Sequence, residues 1–100
     1  MDVYELLQEA IEQRKQVVAT YGGRVREFCP HVLGTKGMER HVLGFQFGGS
    51  STSALPPGGE WRCFRVDGLS DLTLRDGYWH SRTDLNVWID SCIDVIDVYV

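Results

Sequence analysis

The chain has 100 residues, of which 43% are hydrophobic and 24% charged, and its formal net charge is −4. This length predicts one small domain, and the acidic balance argues against strong non-specific nucleic-acid binding, although it is compatible with a local basic patch. No apolar stretch reaches the roughly 20 residues that cross a bilayer. The acidic, amphipathic start MDVYE differs from a secretory signal, so no membrane partner and a cytoplasmic location are expected.

The three cysteines are odd in number and far apart, and no two of them form a Cys-x-x-Cys pair. A disulfide scaffold usually has an even and denser set, and a zinc site has paired spacing. We therefore predict buried thiols that pack as small apolar residues. The histidines are too scattered to predict a metal site, and no cofactor is expected. These residues are Cys29, Cys63, Cys92, His31, His41 and His80.

The first predicted element is a helix over residues 2–15. Asp2 and Glu5 have the spacing of a capping box. Apolar residues then recur at intervals of three and four, which is typical of an amphipathic helix with one buried face. That face consists of Val3, Leu6, Leu7, Ala10 and Ile11.

Short strands separated by glycine turns are predicted from residue 17 onward. The β-branched and aromatic residues 17–21 and the alternating residues 24–28 flank Gly22-Gly23, which indicates a tight hairpin. Pro30 cannot donate a ladder hydrogen bond, so its strand is predicted either to lie at an edge or to bend there.

A long strand is predicted over residues 38–47, with His41, Leu43, Phe45 and Phe47 on one face. The segment GGSSTSALPPGG, residues 48–59, predicts a mobile loop. Residues 61–66 and 69–74 then predict a second hairpin about Asp67-Gly68.

One helix followed by about five short strands predicts a mainly β (α+β) fold. A five-stranded antiparallel SH3-like or Sm-like barrel over residues 17–76 removes its sheet edges by curling, and the helix covers one open end. Residues 77–100 form a C-terminal extension, in which the run 93–100 favours a strand. Four large aromatic residues of this extension are predicted to lie over the barrel: Tyr78, Trp79, Trp88 and Tyr99.

Four segments within residues 5–76 resemble the WYL domain, a bacterial ligand-sensing module. They are AIEQRKQVVATYGG (10–23), RVREFCPHVLG (24–34), RHVLGFQ (40–46) and WRCFRVDGLSDL (61–72). The tripeptide that names the family falls on Arg40-His41-Val42, and its Phe-Arg-Leu-Asp-Arg-Ile pattern falls on residues 64–69 with one arginine fewer. The chain resembles a stand-alone module without the usual preceding helix-turn-helix.

The resemblance implies transcriptional or other regulation through a negatively charged ligand, either a nucleotide or single-stranded nucleic acid. The resemblance also favours Arg26 as a ligand-binding residue, because it occupies the position of the family's arginine before proline. Arg40 and His41 stand at the naming motif. A histidine there is either a structural residue or a switch for an anion site.

Strand alternation places Trp61, Cys63 and Arg65 on one face of their strand, opposite Arg62, Phe64 and Val66, and we expect Phe64 and Val66 to point inward. An exposed aromatic ring beside a guanidinium is suited to base stacking and phosphate pairing. Two alternatives stay open: Trp61 packs under the C-terminal tail, and Arg65 pairs with Asp67 or Asp71. The candidate ligand-binding residues are Tyr21, Arg26, Arg40, His41, Trp61, Arg62 and Arg65.

Other features leave the function class open. Arg24 and Arg26 share a strand face and either bracket a phosphate or form a solvated edge. No nucleophile–base or paired-carboxylate arrangement indicates an enzyme, so none is predicted. The alternative function is a protein-interaction adaptor or self-assembling module, with a homo-oligomer or a regulatory protein as the partner.

Overall fold

The structure of the chain is a computed structural model that describes residues 1–50 and 54–100. It confirms a mainly β fold with two helices and a six-stranded antiparallel sheet. Residues 51–53, within the predicted loop 48–59, lie outside the described residues. None of the helices in these ranges is both long and apolar enough to span a membrane. The elements are α1 (Val3–Gln13), β1 (Gln16–Tyr21), β2 (Arg24–Lys36), β3 (Glu39–Gly49), β4 (Glu60–Arg65), β5 (Leu69–Arg75), α2 (Leu85–Cys92) and β6 (Val95–Tyr99).

Helix α1 begins with the predicted capping box. The Asp2 carboxylate accepts from the Glu5 amide at 2.8 Å, and the Glu5 carboxylate accepts from the Asp2 amide at 3.1 Å. The helix ends where Arg14 adopts a left-handed conformation with φ of 53°. Its fully buried residues are Leu7, Ala10 and Ile11, and Val3 packs against the same core, so the predicted apolar face is confirmed except for Leu6, which is only half-buried.

The strand order in the sheet is β4-β3-β2-β1-β5, and β6 also pairs with β2. Strand β2 therefore lies in the interior of the sheet, but at Pro30 itself β3 is its only ladder partner among the described residues, so the predicted edge is confirmed locally. The sheet tolerates proline because β1 pairs with β2 only as far as Phe28, whereas the β6 pairing begins at Val32. A register shift against β3 between Pro30 and Val32 agrees with the alternative of a local bend.

The predicted hairpin of β4 and β5 is wrong. Strand β4 pairs with β3 and β5 pairs with β1, at opposite ends of the strand order, and a 3-10 turn over Val66–Gly68 joins them. Val66 and Leu69 on either side of this turn are buried. Because the turn itself packs on the core, the two strands diverge, and in the described ranges no β4–β5 ladder closes the sheet.

Each face of the sheet carries its own core. The inner face packs against α1 through Phe28, Leu33 and Phe64, among others. The outer face packs Trp61, Leu43 and Phe45 against α2 and the residues that follow it. Helix α2 was not predicted, whereas the strand in the run 93–100 is confirmed as β6.

Two of the four aromatic residues of the extension behave as predicted. Trp79 is half-buried and stacks on the His31 ring, and Trp88 is half-buried against the outer core. Tyr78 and Tyr99 are 76% and 69% exposed, so the prediction that they cover the domain is wrong. Where β6 crosses β2, a Cβ on Gly34 would lie 2.1 Å from the Val95 carbonyl oxygen, so only glycine fits there.

Candidate anion-binding site

Arg26 is a buried arginine at the end of the inner face. It lies two residues before Phe28 on β2 and is 4% exposed. Its Nε and one terminal nitrogen donate to the Tyr21 carbonyl oxygen at 3.3 and 3.1 Å. The guanidinium carbon lies 5.5 Å from the centroid of the Tyr21 ring and 5.9 Å from that of Phe64. The hairpin turn and two aromatic rings therefore fix this cation in position.

Two further arginines lie near enough to Arg26 for their charges to affect it. Burial lowers the pKa of Arg26, and the neighbouring charges of Arg24 and then Arg62 lower it further. Arg24 lies two residues before Arg26 on the same face of β2, and Arg62 lies two residues before Phe64 on the same face of β4. Among residues 1–50 and 54–100, no carboxylate lies within 4.0 Å of these three guanidinium groups. We call Arg24, Arg26 and Arg62 the arginine cluster.

The structure separates Trp61 and Arg65 from this cluster. Trp61 is 2% exposed beneath α2, and its Nε1 donates to Asp84 at 2.7 Å, so the prediction of an exposed stacking surface is wrong. Arg65 pairs with Glu39 at 2.7 Å and with Asp67 at 3.5 Å. The alternative that the C-terminal tail covers Trp61 is confirmed. The alternative for Arg65 is confirmed in part, because Asp67 pairs with it as predicted but Glu39, which was not predicted, lies closer.

Tyr21 lies between the arginine cluster and Arg65. Its ring packs edge-on against Phe64 at 5.0 Å, and its hydroxyl accepts from the Arg65 amide at 3.2 Å. One ring thus connects β1 with β4 and also borders Arg26. Because both Phe64 and the Arg26 guanidinium contact this ring, it is half-buried and serves as a support for the cluster.

Arg40 and His41 do not belong to the arginine cluster, and they lie in different places from each other. The Arg40 guanidinium is exposed over the Tyr4 ring at 4.3 Å, beside a shallow cavity of about 510 Å³. Three carboxylates line this cavity (Asp2, Glu39 and Asp67), so it is unsuited to an anion. His41 points to the outer face, where its Nδ1 donates to the Cys92 carbonyl oxygen at 2.8 Å.

The cysteine prediction holds for Cys29 but is wrong for the other two. Cys29 is a buried thiol, whereas Cys63 and Cys92 form a disulfide that ties β4 to the end of α2. The separation of 29 residues gave no spacing signal, because the pairing depends on how α2 folds over the outer face. The signal for Arg26 was present in the sequence: it alternates in phase with Phe28, a core residue.

Comparison with protein-family models, with curated proteins and with solved structures finds no match to this chain. The resemblance to the WYL domain therefore stays a prediction.

Proposed function

We propose that this domain is a non-catalytic regulatory module that binds a phosphate-bearing ligand, a nucleotide or a short single-stranded nucleic acid, at the arginine cluster. The observation that carries the proposal is Arg26, which is buried with a hydrogen bond to a carbonyl oxygen but with no carboxylate partner among the described residues. Placing a guanidinium out of water without a counter-ion is costly. A bound anion offsets that cost, and Arg24 and Arg62 are placed to bind the same anion.

The proposed recognition is of phosphate rather than of base. Arginine forms bidentate hydrogen bonds with phosphate oxygens, whereas base stacking needs an open aromatic face. Trp61 is buried and the Tyr21 ring borders Arg26 and Phe64. The ligand therefore binds with little base preference, and its affinity falls steeply with salt.

We also propose that the sheet has the curled SH3-like or Sm-like form of a WYL-like domain. Support comes from the short 3-10 turn between β4 and β5 and from the shared inner core of Phe64, Val66 and Leu69. A cytoplasmic location belongs to the same proposal.

Fluorescence anisotropy with labelled oligothymidylate and with a labelled nucleotide tests the proposal at low and high salt. We expect binding at low salt that weakens as salt rises. Arg62→Gln is expected to weaken binding roughly tenfold, because a charge-assisted contact to phosphate contributes about 1.5 kcal/mol. Arg62 is half-exposed and makes one long contact of 3.5 Å to the Ala54 carbonyl oxygen, so the fold should tolerate the change.

The matched control is Arg14→Gln, which alters the net charge equally. Arg14 precedes β1, whereas Arg26 and Arg24 lie opposite Ala19 and Tyr21 in the second half of that strand. Wild-type affinity is expected for this control. Absence of binding for both probes at low salt, or equal weakening by the two variants, would overturn the proposal.

A second candidate function is self-assembly through β6. This strand pairs only with β2 in the described ranges, and it exposes Val95, Ile96 and Tyr99. Such an edge can add a strand from a second copy. Light scattering over a range of concentrations, with Ile96→Lys as the comparison, distinguishes this function: a strict monomer at every concentration excludes it.

A further inference from the structure

Three side chains with metal-binding atoms meet on the outer face. The ligand atoms of His41, Cys63 and Cys92 all lie within 4.8 Å of one another, and His41 Nδ1 is 3.5 Å from Cys63 Sγ. An imidazole and two sulfurs are a typical set of ligands for zinc. In the structure the two sulfurs are joined as a disulfide.

We propose that this cluster binds one Zn²⁺ ion when the disulfide is reduced by a dithiol, so that the same residues hold either a disulfide or a metal. The dithiol supplies two electrons and two protons, the Cys63–Cys92 bond breaks to give two thiols, and the dithiol becomes a cyclic disulfide. Zinc then replaces both thiol protons, and His41 binds through Nδ1.

The spacing of the nitrogen and sulfur atoms suits this role. With bonds of about 2.0 Å to nitrogen and 2.3 Å to sulfur, a tetrahedral site separates the two atoms by about 3.5 Å. His41 Nδ1 and Cys63 Sγ already have this separation. Cys63 is exposed on β4, so both the reductant and the metal have access from solvent, and a water molecule completes the coordination.

The far side of the histidine ring supplies a second, independent observation. His41 Nε2 is buried without a hydrogen-bond partner in the described part of the chain, 3.5 Å from a carboxylate oxygen of Glu39. With the proton on Nδ1, which donates to the Cys92 carbonyl oxygen, a neutral ring directs the Nε2 lone pair toward this carboxylate.

Metal binding resolves this unfavourable arrangement. Coordination through Nδ1 requires the tautomer that carries its proton on Nε2, and that proton points toward Glu39. A carboxylate that orients a metal-binding histidine in this way is the usual second partner of zinc sites. Arg65 holds Glu39 in place with a contact of 2.7 Å. Glu39 is thus a positioning residue, and Arg65 acts through it.

Cobalt binding by the full chain tests the proposal. The protein is reduced with a phosphine, desalted without oxygen, and titrated with Co²⁺ and then Zn²⁺. We expect one Co²⁺ per chain, with a thiolate-to-cobalt charge-transfer band and the intense visible bands of tetrahedral cobalt, both removed by Zn²⁺. The oxidised protein is expected to show neither band.

Variants distinguish metal binding at this site from metal binding by the remaining thiol, Cys29. Reduced Cys63→Ser and His41→Asn are expected to lose the tetrahedral bands, and Glu39→Gln to weaken zinc binding 10- to 100-fold. Cys29→Ser is the matched control, because burial raises the pKa of that thiol to about 11 and it lies elsewhere in the fold. It is expected to bind as the wild type does.

A reduced wild-type protein that is folded by circular dichroism but shows no cobalt bands would overturn the proposal. Unchanged bands in Cys63→Ser would do so as well. If the reduced chain unfolds without metal, Zn²⁺ is expected to restore its circular dichroism in the wild type but not in His41→Asn. Failure of that rescue also counts against the site.

Discussion

The two faces of the sheet are stabilised by different kinds of interaction. On the inner face, α1 and the strands bury aliphatic and aromatic side chains, with the Phe28 and Phe64 rings stacked at 4.6 Å. On the outer face, the apolar cluster is accompanied by polar and covalent ties. The Trp61 indole donates to Asp84, Arg82 pairs with Glu60 at 2.7 Å, and the disulfide fixes the end of α2.

The outer face therefore depends on conditions that scarcely affect the inner one. Burial of apolar surface is indifferent to redox state and to moderate acid. A disulfide, a buried histidine and a salt-bridged aspartate each respond to one of these variables. We therefore expect the two faces to be separable by experiment.

Phe64→Ala is expected to have the largest effect on the inner face. Phe64 is 1% exposed and contacts both Phe28 and Tyr21. Its truncation should lower the free energy of unfolding by about 3–5 kcal/mol, because it leaves a cavity. Urea unfolding measures the change, with the half-buried Phe47→Ala as the matched control. An equal loss in both variants would contradict a core centred on Phe64.

Reduction of the disulfide should have the next largest effect, on the outer face. A loop of 29 residues corresponds to about 3.5 kcal/mol in the chain-entropy description. In metal-free reduced protein, amide hydrogen exchange should accelerate in α2 and β6 while α1 stays protected. Equal acceleration in α1 would show that the two faces open together.

His31 makes the outer side sensitive to mild acid. It is 2% exposed between Trp61 and Trp79, and burial, more than any other influence, lowers its pKa. The unfolded chain takes up the proton near about pH 6.5, whereas the folded ring resists it. Stability is therefore complete above that pH and falls by up to ~1.4 kcal/mol per pH unit below it.

Urea unfolding between about pH 7.5 and about pH 5 measures this slope. The variant His31→Gln should show a shallower slope, because it removes the group that titrates. His80→Gln is the comparison, since His80 stacks on Phe47 outside both cores. If His31→Gln keeps the wild-type slope, another group causes the loss.

The inner face could largely be predicted from the sequence because its signals are local. The capping box and the apolar periodicity place α1 within two residues of its observed ends, and Gly22-Gly23 specifies the β1–β2 turn with φ of 60° and 74°. Alternation also placed Phe64 and Val66 inward, as observed. Each of these patterns is fixed by residues that are neighbours in the chain.

The outer face could not be predicted because its partners are distant in sequence. Trp61 finds Asp84, and Cys63 finds Cys92, only after α2 has folded over β3 and β4. Strand alternation fixes which way a side chain points but not which strand lies beside it. This limit explains why the β4–β5 hairpin was predicted wrongly and why Trp61 was predicted to be exposed although it is buried. It also explains why Arg65 and Arg26 were grouped, although they lie on opposite faces.

Substitution of Asp84 is expected to have the smallest effect on stability, and it tests the polar contacts of the outer face separately from the apolar ones. The Arg82 hydrogen bonds, then those of Trp61 and Trp88, hold the pKa of the Asp84 carboxyl well below its usual range. An aspartate with a lowered folded pKa stabilises the protein above its unfolded pKa of about 4, and this contribution is lost as pH falls below that value. The window thus lies below that of His31.

Asp84→Asn should lower the free energy of unfolding near neutral pH, because the amide keeps an acceptor for Trp61 but loses the charge that Arg82 pairs with. For the same reason, the stability of this variant should fall less below about pH 4 than that of the wild type. Asp90→Asn, on the exposed side of α2, is the matched control and should lose stability in acid as the wild type does. Identical losses of stability in acid in all three proteins would mean that the Asp84 charge contributes nothing to the acid response of the outer face. A smaller loss in Asp84→Asn alone would instead assign the acid response of the outer face to the Asp84 carboxylate and its hydrogen bonds from Arg82, Trp61 and Trp88.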